Sequence, residues 1–400
     1  MVVIALRLAR PHHRPPARRP SLPGQDGPMT STAGAAYRAM LDELIGLGEW
    51  LDAQDLNEID RAEGFRHLGH LLAVGLDHHL ESDPERPMFT RIVSPFRKMQ
   101  GDNPDAVYYW TKIKGDRDYR ITGRNTGEGY LSFTVHGADP NDPNVERVIA
   151  DVNETSLVHD PDGTGYEITV SPDPRPEGFE GNWLQSAPDA HSIVTRHYFE
   201  RPTPAASDPD VHVVLRIEPV DDPGPAPTWT QDAIAERLAE VATFVASKTS
   251  GMTPPTEMPD IPFVSRTPNV LPQPFSFRDA GIEVLGAVDA HYSMGPYELG
   301  EDEALVLEGT IPAAAFVNVM LWNKHMQTYE YRSHQTSLNR TQLELGPDDS
   351  YRIVIANRDP GVPNWLDTEG HTSGSIFWRF FLAEERPSPI ECTVVPIVDL

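Results

Sequence analysis

GYLSFTV at 129–135 and AAFVNVML at 314–321 open two stretches of sequence that carry the same motifs in the same order. NETSL at 153–157 answers to NRTQL at 339–343, and YEITV at 166–170 to YRIVI at 351–355. A proline-containing loop then leads to NWL at 182–184 and again at 364–366, and SIVTRHYF at 192–199 answers to SIFWRFFL at 375–382. Asn153 to Tyr166 is 13 residues and Asn339 to Tyr351 is 12; Trp183 to Arg196 is 13 and Trp365 to Arg379 is 14. Five collinear matches at near-equal spacing predict two copies of one antiparallel β unit, each a sandwich or jelly roll. Leu131, Phe133 and Val135 alternate with Tyr130, Ser132 and Thr134, the signature of a half-buried strand, and Val213, Leu215 and Ile217 repeat it. ADPNDPN and DPDGTG between such runs are turn sequences.

Outside the two copies the period changes. Tyr37, Met40, Leu41, Leu44, Ile45, Leu47 and Leu51 recur at helical spacing, which predicts a helix over about 35–53. Asp55 followed by Glu58 resembles a capping box and predicts a second helix to about Leu80, with Phe65, Leu68, Leu72 and Leu76 as its apolar stripe. Thr230 is the expected N-cap of a third helix that buries Ile234, Leu238, Val241 and Phe244 and ends at Gly251. Seven of the 26 residues from Met252 to Phe277 are Pro, so an extended linker is expected there. The fold class is therefore mainly β with accessory helices: tandem antiparallel β-sandwich or jelly-roll domains, an N-terminal helical pair and one inter-domain helix. The expected boundaries are a disordered tail at 1–34, helices at 35–82, a first sandwich at 83–226, a helix at 227–251, a linker at 252–278 and a second jelly-roll-like domain at 279–400.

Composition agrees. Of 400 residues, 68 are Pro or Gly, which opposes a helical bundle, and 39% hydrophobic content opposes disorder. Net charge is −27; residues 1–28 contribute +4 and the remainder −31, a balance that disfavours nucleic-acid partners. The lone Cys392 excludes an internal disulfide and a Cys-rich metal site, and suits a cytoplasmic location. The apolar stretch Val2–Leu6 is too short for a signal-peptide core, and Met29 is the expected natural start. The longest uncharged apolar run, about 309–323, falls short of the ~20 residues that span a bilayer, so no membrane partner is expected.

Several motifs together resemble a known family. They are RAEGFRHLGHLL at 61–72, ERPMFTRI at 85–92, DNPDAVYYW at 102–110, DYRITGR at 118–124, GNWL at 181–184 with TRHYF at 195–199, and VPNWLDTEG at 362–370 with WRFF at 378–381. In these the chain resembles bacterial proteins of the domain-of-unknown-function 1214 family and, more distantly, the related 1254 family, over about Leu41 to Ala383. The resemblance implies a pair of β-sandwiches, one of them jelly-roll-like. It supplies no reaction. The pattern Asn-x-Asp-x-x-Tyr, formed here by Asn103, Asp105 and Tyr108, is similar in both families.

The candidate site residues follow from chemistry. A Gly-Asp-Asn-Pro-Asp loop feeding an aromatic strand gathers Asn103, Asp105, Tyr108 and Tyr109 near a sheet end, where Asp105 and Tyr108 can serve as acid and base; the alternative is an Asx-turn over core tyrosines. Arg196 and Arg379, at equivalent places in the repeat, can each hold a carboxylate, sulfate or phosphate, or tie loop carbonyls. Trp183 and Trp365, each after an Asn, can stack on a sugar or flat ring, or plug a corner. On the second helix Glu63, His67, His70, His78 and Glu81 share a face opposite the apolar stripe, so a solvated face is expected and no metal. Gly-rich phosphate loops, nucleophile elbows and zinc-protease helices are absent from the sequence, and no cofactor is expected. The residues support hydrolysis or elimination by acid/base chemistry on a small, largely apolar metabolite, or else non-catalytic binding of a glycan or other ligand. A deep pocket holding Asp105 favours the first, a shallow Trp-lined groove the second.

Overall fold

The computed structural model describes residues 31–139, 142–250, 261–276 and 289–400. Nearly all of the expected tail, the end of the third helix at Gly251, and residues 252–260, 277 and 278 of the expected linker lie outside those residues.

Period-2 runs form strands and the 3.6-period runs form helices, as their patterning requires. The first half contains β1 (Thr90–Arg91), β2 (Ala106–Lys112), β3 (Tyr119–Arg124), β4 (Tyr130–Asp139), β5 (Asp142–Asn153), β6 (Gly165–Ser171), β7 (Asn182–Gln185), β8 (Ala190–Tyr198) and β9 (Val214–Pro219). The second contains β10 (Phe275–Ser276), β11 (Ala290–Glu298), β12 (Glu303–Thr310), β13 (Phe316–Trp322), β14 (Ser337–Asn339), β15 (Ser350–Ala356), β16 (Trp365–Asp367), β17 (Ser373–Phe381) and β18 (Glu391–Pro396). Among the described residues each half is a five-stranded sheet on a four-stranded one. The orders are β1-β2-β8-β4-β5 with β7-β6-β3-β9, and β10-β11-β17-β13-β14 with β16-β15-β12-β18. Adding nine to every strand number of the first half produces the second.

The registers agree as well. Ser132 sits between Arg196 and Asn153, as Asn318 sits between Arg379 and Asn339. Thr169 faces Trp183 in a parallel pair, as Val354 faces Trp365. Tyr166 lies over Gly123 and Tyr351 over Gly309; a Cβ on either glycine would come 2.3 or 2.6 Å from the phenol oxygen, so only glycine fits under these rings.

Among the described residues three helices complete the fold: α1 (Thr32–Asp52), α2 (Glu58–Gly75) and α3 (Gln231–Ser250). Thr230 caps α3 as expected, its Oγ1 accepting from Ala233 N at 3.2 Å. The cap of α2 is Asn57, whose Oδ1 accepts from Asp60 N at 2.8 Å, rather than Asp55. A π turn, Leu76–Leu80, extends α2. The sandwich interiors hold two cores. A third core joins α1, α2, α3 and the outer faces of both five-stranded sheets. Among the described residues no helix is long and apolar enough to cross a membrane.

Two further expectations need correction. Phe65 is 43% exposed, whereas His67 and His78 are 2% and 3% exposed, so the histidine face of α2 points inward. The reason is a cleft: α2 packs against α3 on one side and a loop of the second half on the other. There His67 stacks on His325 and His78 on Trp110. The described part of the linker is a packed strap: Phe263 and Leu271 are buried, Ser265 N donates to Met294 O at 2.8 Å, and Phe275–Ser276 forms an edge strand.

Candidate functional site

In β8 every residue after His191 is buried, because the strand is covered on both faces. Ile193 and His197 point into the sandwich; Val194, Arg196 and Tyr198 point to the third core and the helices. β17 repeats this with Phe377, Arg379 and Phe381 outward. The two arginines then meet different surroundings. Arg379 lies over Phe377 at 4.4 Å and Trp322 at 5.3 Å, and those two rings stack at 4.5 Å. At the equivalent positions the first half has Val194 for Phe377 and His136 for Trp322. The smaller side chains leave a cavity of about 40 Å³ beside Arg196.

The cavity has an apolar wall of Ile92, Met99, Trp110, Val194 and Phe244, and a polar set of His78, His136, Glu146, Ser192, Arg196 and Lys248. His136 stands where β4 slips register against both neighbours, and such bulges re-aim a side chain. Its Nδ1 lies 3.9 Å from Glu146 Oε2 on β5, and its buried Nε2 has no hydrogen-bond partner. Burial, with Arg196 nearby, pushes the His136 pKa down to about 3. His78 stacks on Trp110 at 4.3 Å, and burial holds it well below the usual imidazole range. Its Nε2 also has no hydrogen-bond partner. Lys248, in the last turn of α3, lowers the pKa of Glu146 against the opposing effect of burial. Arg196 NH1 donates to Thr134 Oγ1 at 2.6 Å, which donates to Asp151 Oδ2 at 2.9 Å. The site therefore offers two cations, one carboxylate and two neutral imidazoles against an aromatic wall.

Of the candidate residues singled out in the sequence, Arg196 and, from the histidine face, His78 line this cavity. Asp105 is fully buried and accepts from Asn318 Nδ2 at 3.0 Å and Asn339 Nδ2 at 2.9 Å; Asn103 Oδ1 accepts from Asp105 N and from Asn318. Burial raises the Asp105 pKa to about 6. The loop expected near a sheet end is covered by the second half, where the amides of Asn318 on β13 and Asn339 on β14 donate to Asp105. The arrangement is reciprocal: Asp289 precedes β11 as Asp105 precedes β2, and it accepts from Asn153, the counterpart of Asn339. An Asp-x-x-Tyr pair, Asp105–Tyr108 and Asp289–Tyr292, thus recurs in both halves and ties them together. Tyr108 is buried and donates to Tyr198 OH at 3.1 Å; Tyr109 is on the opposite face of β2, edge-on to His197 at 6.0 Å.

Trp183 and Trp365 stand in different sheets, one in each four-stranded sheet. Their neighbours Asn182 and Asn364 bridge strand and loop identically, Asn182 to Val158 and Glu167, Asn364 to Glu344 and Arg352. Trp365 Nε1 donates to Ala356 O, and Trp183 packs on Phe179. These are corners. Trp110, His136, Glu146 and Lys248 escaped the sequence reading, yet the two aligned copies contained the signal: His and Val where the other copy has Trp and Phe.

Residues 109–202 match the model of the family described as protein of unknown function (DUF1214), the family that the sequence motifs resemble. No curated protein matches the chain. Among solved structures, an uncharacterized protein from Burkholderia cenocepacia is similar at 28% identity and a TM-score of 0.79, covering 92% of this chain and 98% of that one. The VPA0106 protein from Vibrio parahaemolyticus is similar at 13% identity with a TM-score of 0.46, over 83% of this chain and 98% of that one.

Proposed function

We propose that the chain is an enzyme doing acid/base chemistry, hydrolysis or elimination, on a small, largely apolar metabolite that carries a carboxylate. The observation behind this reading is the place where the two halves differ. The second half fills the space beside its arginine with Trp322 and Phe377; the first half opens it with His136 and Val194. A filled counterpart is what packing alone favours, since interiors are close-packed and voids cost stability. In this reading Arg196 and Lys248 hold the carboxylate, Trp110, Val194 and Phe244 receive the apolar part, and His136 Nε2 moves the proton with Glu146 behind Nδ1. A neutral imidazole is the form a general base needs. A cavity of about 40 Å³ admits only a head group of a few atoms; the half-exposed Glu146 and Lys248 leave room for more toward solvent. The setting proposed is a bacterial, cytoplasmic protein formed by internal duplication of a jelly-roll-like unit, which the common strand order and the lone thiol support.

The second reading, a non-catalytic binder, is favoured by the 3.9 Å between His136 and Glu146, which exceeds a hydrogen bond. Ligand-observed NMR against a set of small monocarboxylates in D₂O separates the two. Binding by the wild type, lost in Arg196→Leu, with deuterium entering a ligand C–H or product forming, and that chemistry lost in His136→Asn, supports the enzyme. Binding without exchange or turnover supports the binder. No binding by any small carboxylate overturns both.

A further inference from the structure

We propose that Asp60, Glu63 and His371 form a divalent-metal site that clasps α2 to the second half, separate from the cavity beside Arg196. Asp60 and Glu63 are one turn apart on one face of α2. His371 comes from the segment between β16 and β17. One ligand atom from each of the three lies within 4.8 Å of the other two.

Two features distinguish this from an ordinary charge cluster. The first is the orientation of His371. Its Nδ1 lies 2.8 Å from Thr368 O, and a carbonyl only accepts, so Nδ1 carries the proton and Nε2 turns toward Glu63. A ring held by an Nδ1–H to a backbone carbonyl is the usual support of a metal-bound histidine. Tyr329 stacks on the same ring at 4.4 Å and fixes its plane. The His371 Nε2 to Glu63 Oε2 distance is 3.0 Å, close to the ~3.3 Å between neighbouring ligands of a tetrahedral ion with bonds of about 2.0 Å.

The second feature is unused capacity. Asp60 is 1% exposed, and its Oδ1 has no hydrogen-bond partner. A buried carboxylate oxygen without a donor is costly. Lys324 Nζ, half-exposed at the rim, reaches Oδ2 at 2.8 Å. Its long side chain can swing outward, leaving two carboxylates to balance a divalent charge. Asn323 Nδ2 donates to Glu63 Oε2 at 2.8 Å and orients that carboxylate. One imidazole and two carboxylates suit a first-row transition ion such as Zn²⁺.

The test is a titration of the EDTA-dialysed, full-length protein with Co²⁺ and then Zn²⁺. One Co²⁺ per chain, with ligand-field bands in the visible that Zn²⁺ displaces and a raised melting temperature, is the expected result. Glu63→Gln and His371→Gln should each weaken binding about tenfold or more. Lys324→Met removes the competing cation without touching the ligands and should tighten binding, a readout that survives if the ligand variants fail to fold. Absence of metal uptake by the wild type, or uptake that neither ligand variant nor Lys324→Met alters, would overturn the site.

Discussion

Asp105 shows how one residue's meaning depends on what covers it. Its carboxylate lies at the junction of the halves, with Asn318 and Asn339 donating to its two oxygens. Asp105→Ala strips an acceptor from two buried amides. The expected loss is about 2–4 kcal/mol, above the ~1 kcal/mol of a lost surface cap, with ligand binding by the folded fraction unchanged. Urea denaturation followed by fluorescence measures it; a loss under 1 kcal/mol would refute the tie. His136 carries the opposite lesson, a titratable group kept neutral by burial. Its folded pKa of about 3 lies below the ~6.5 of an unfolded histidine. As pH falls below 6.5 the unfolded chain takes up the proton first, so His136 costs stability progressively down to about pH 3, by at most roughly 4–5 kcal/mol. His136→Gln should flatten the fall of stability with acidification between those values. Equal slopes for wild type and variant would remove His136 as a cause.

At the scale of elements, the paired strands β8 and β17 present the same arginine through the same register to different neighbours. Exchanging those neighbours is the direct experiment. His136→Trp with Val194→Phe transplants the second half's packing onto the first and should fill the cavity. Removing a void of about 40 Å³ is worth on the order of 1 kcal/mol, so the double variant should be at least as stable as the wild type and bind no ligand. Retained binding in a variant that melts normally would place the ligand elsewhere. Helices show the limit of periodicity. In α2 the 3.6-residue period identifies which residues share a face, but the face containing His67, Leu71 and Val74 is buried while Phe65 is exposed. Tyr37, Leu41 and Ile45 of α1 follow the same rule: regular in spacing, yet exposed.

Across the whole molecule the halves contact each other in the manner of a two-fold pair. Tyr130 meets Phe381 at 4.3 Å while its counterpart Phe316 meets Tyr198 at 4.9 Å, and Tyr198 and Phe381 meet at 4.5 Å. Glu200 adds a further tie, accepting from Val317 N and pairing with Arg340. The third core takes residues from both five-stranded sheets and all three helices. Neither half keeps that core when separated, so calorimetry of the full chain should show one cooperative transition, with a calorimetric to van't Hoff enthalpy ratio near unity. Two resolved transitions would show that the sandwiches fold as independent domains.

The sequence by itself determined the mainly β class, the repeated unit and the helical segments. Period-2 alternation, Asp/Asn/Gly/Pro turns and the five repeated motifs act over a few residues, and a copy at matching spacing must pair in matching register. Asn182 and Asn364 could be read as corners for the same reason. Only the tertiary structure decided which faces were covered twice. The outward face of β8 reads as a surface that could bind a ligand until the helices and the second half close over it, and α2 reads as solvated along its histidines until the cleft receives it. Burial depends on contacts between segments more than a hundred residues apart, such as Asp105 with Asn339 and His78 with Phe244. No local period encodes those contacts, and they turned the sequence's candidate acid into a tie and two apparently structural or solvated positions into the walls of a cavity.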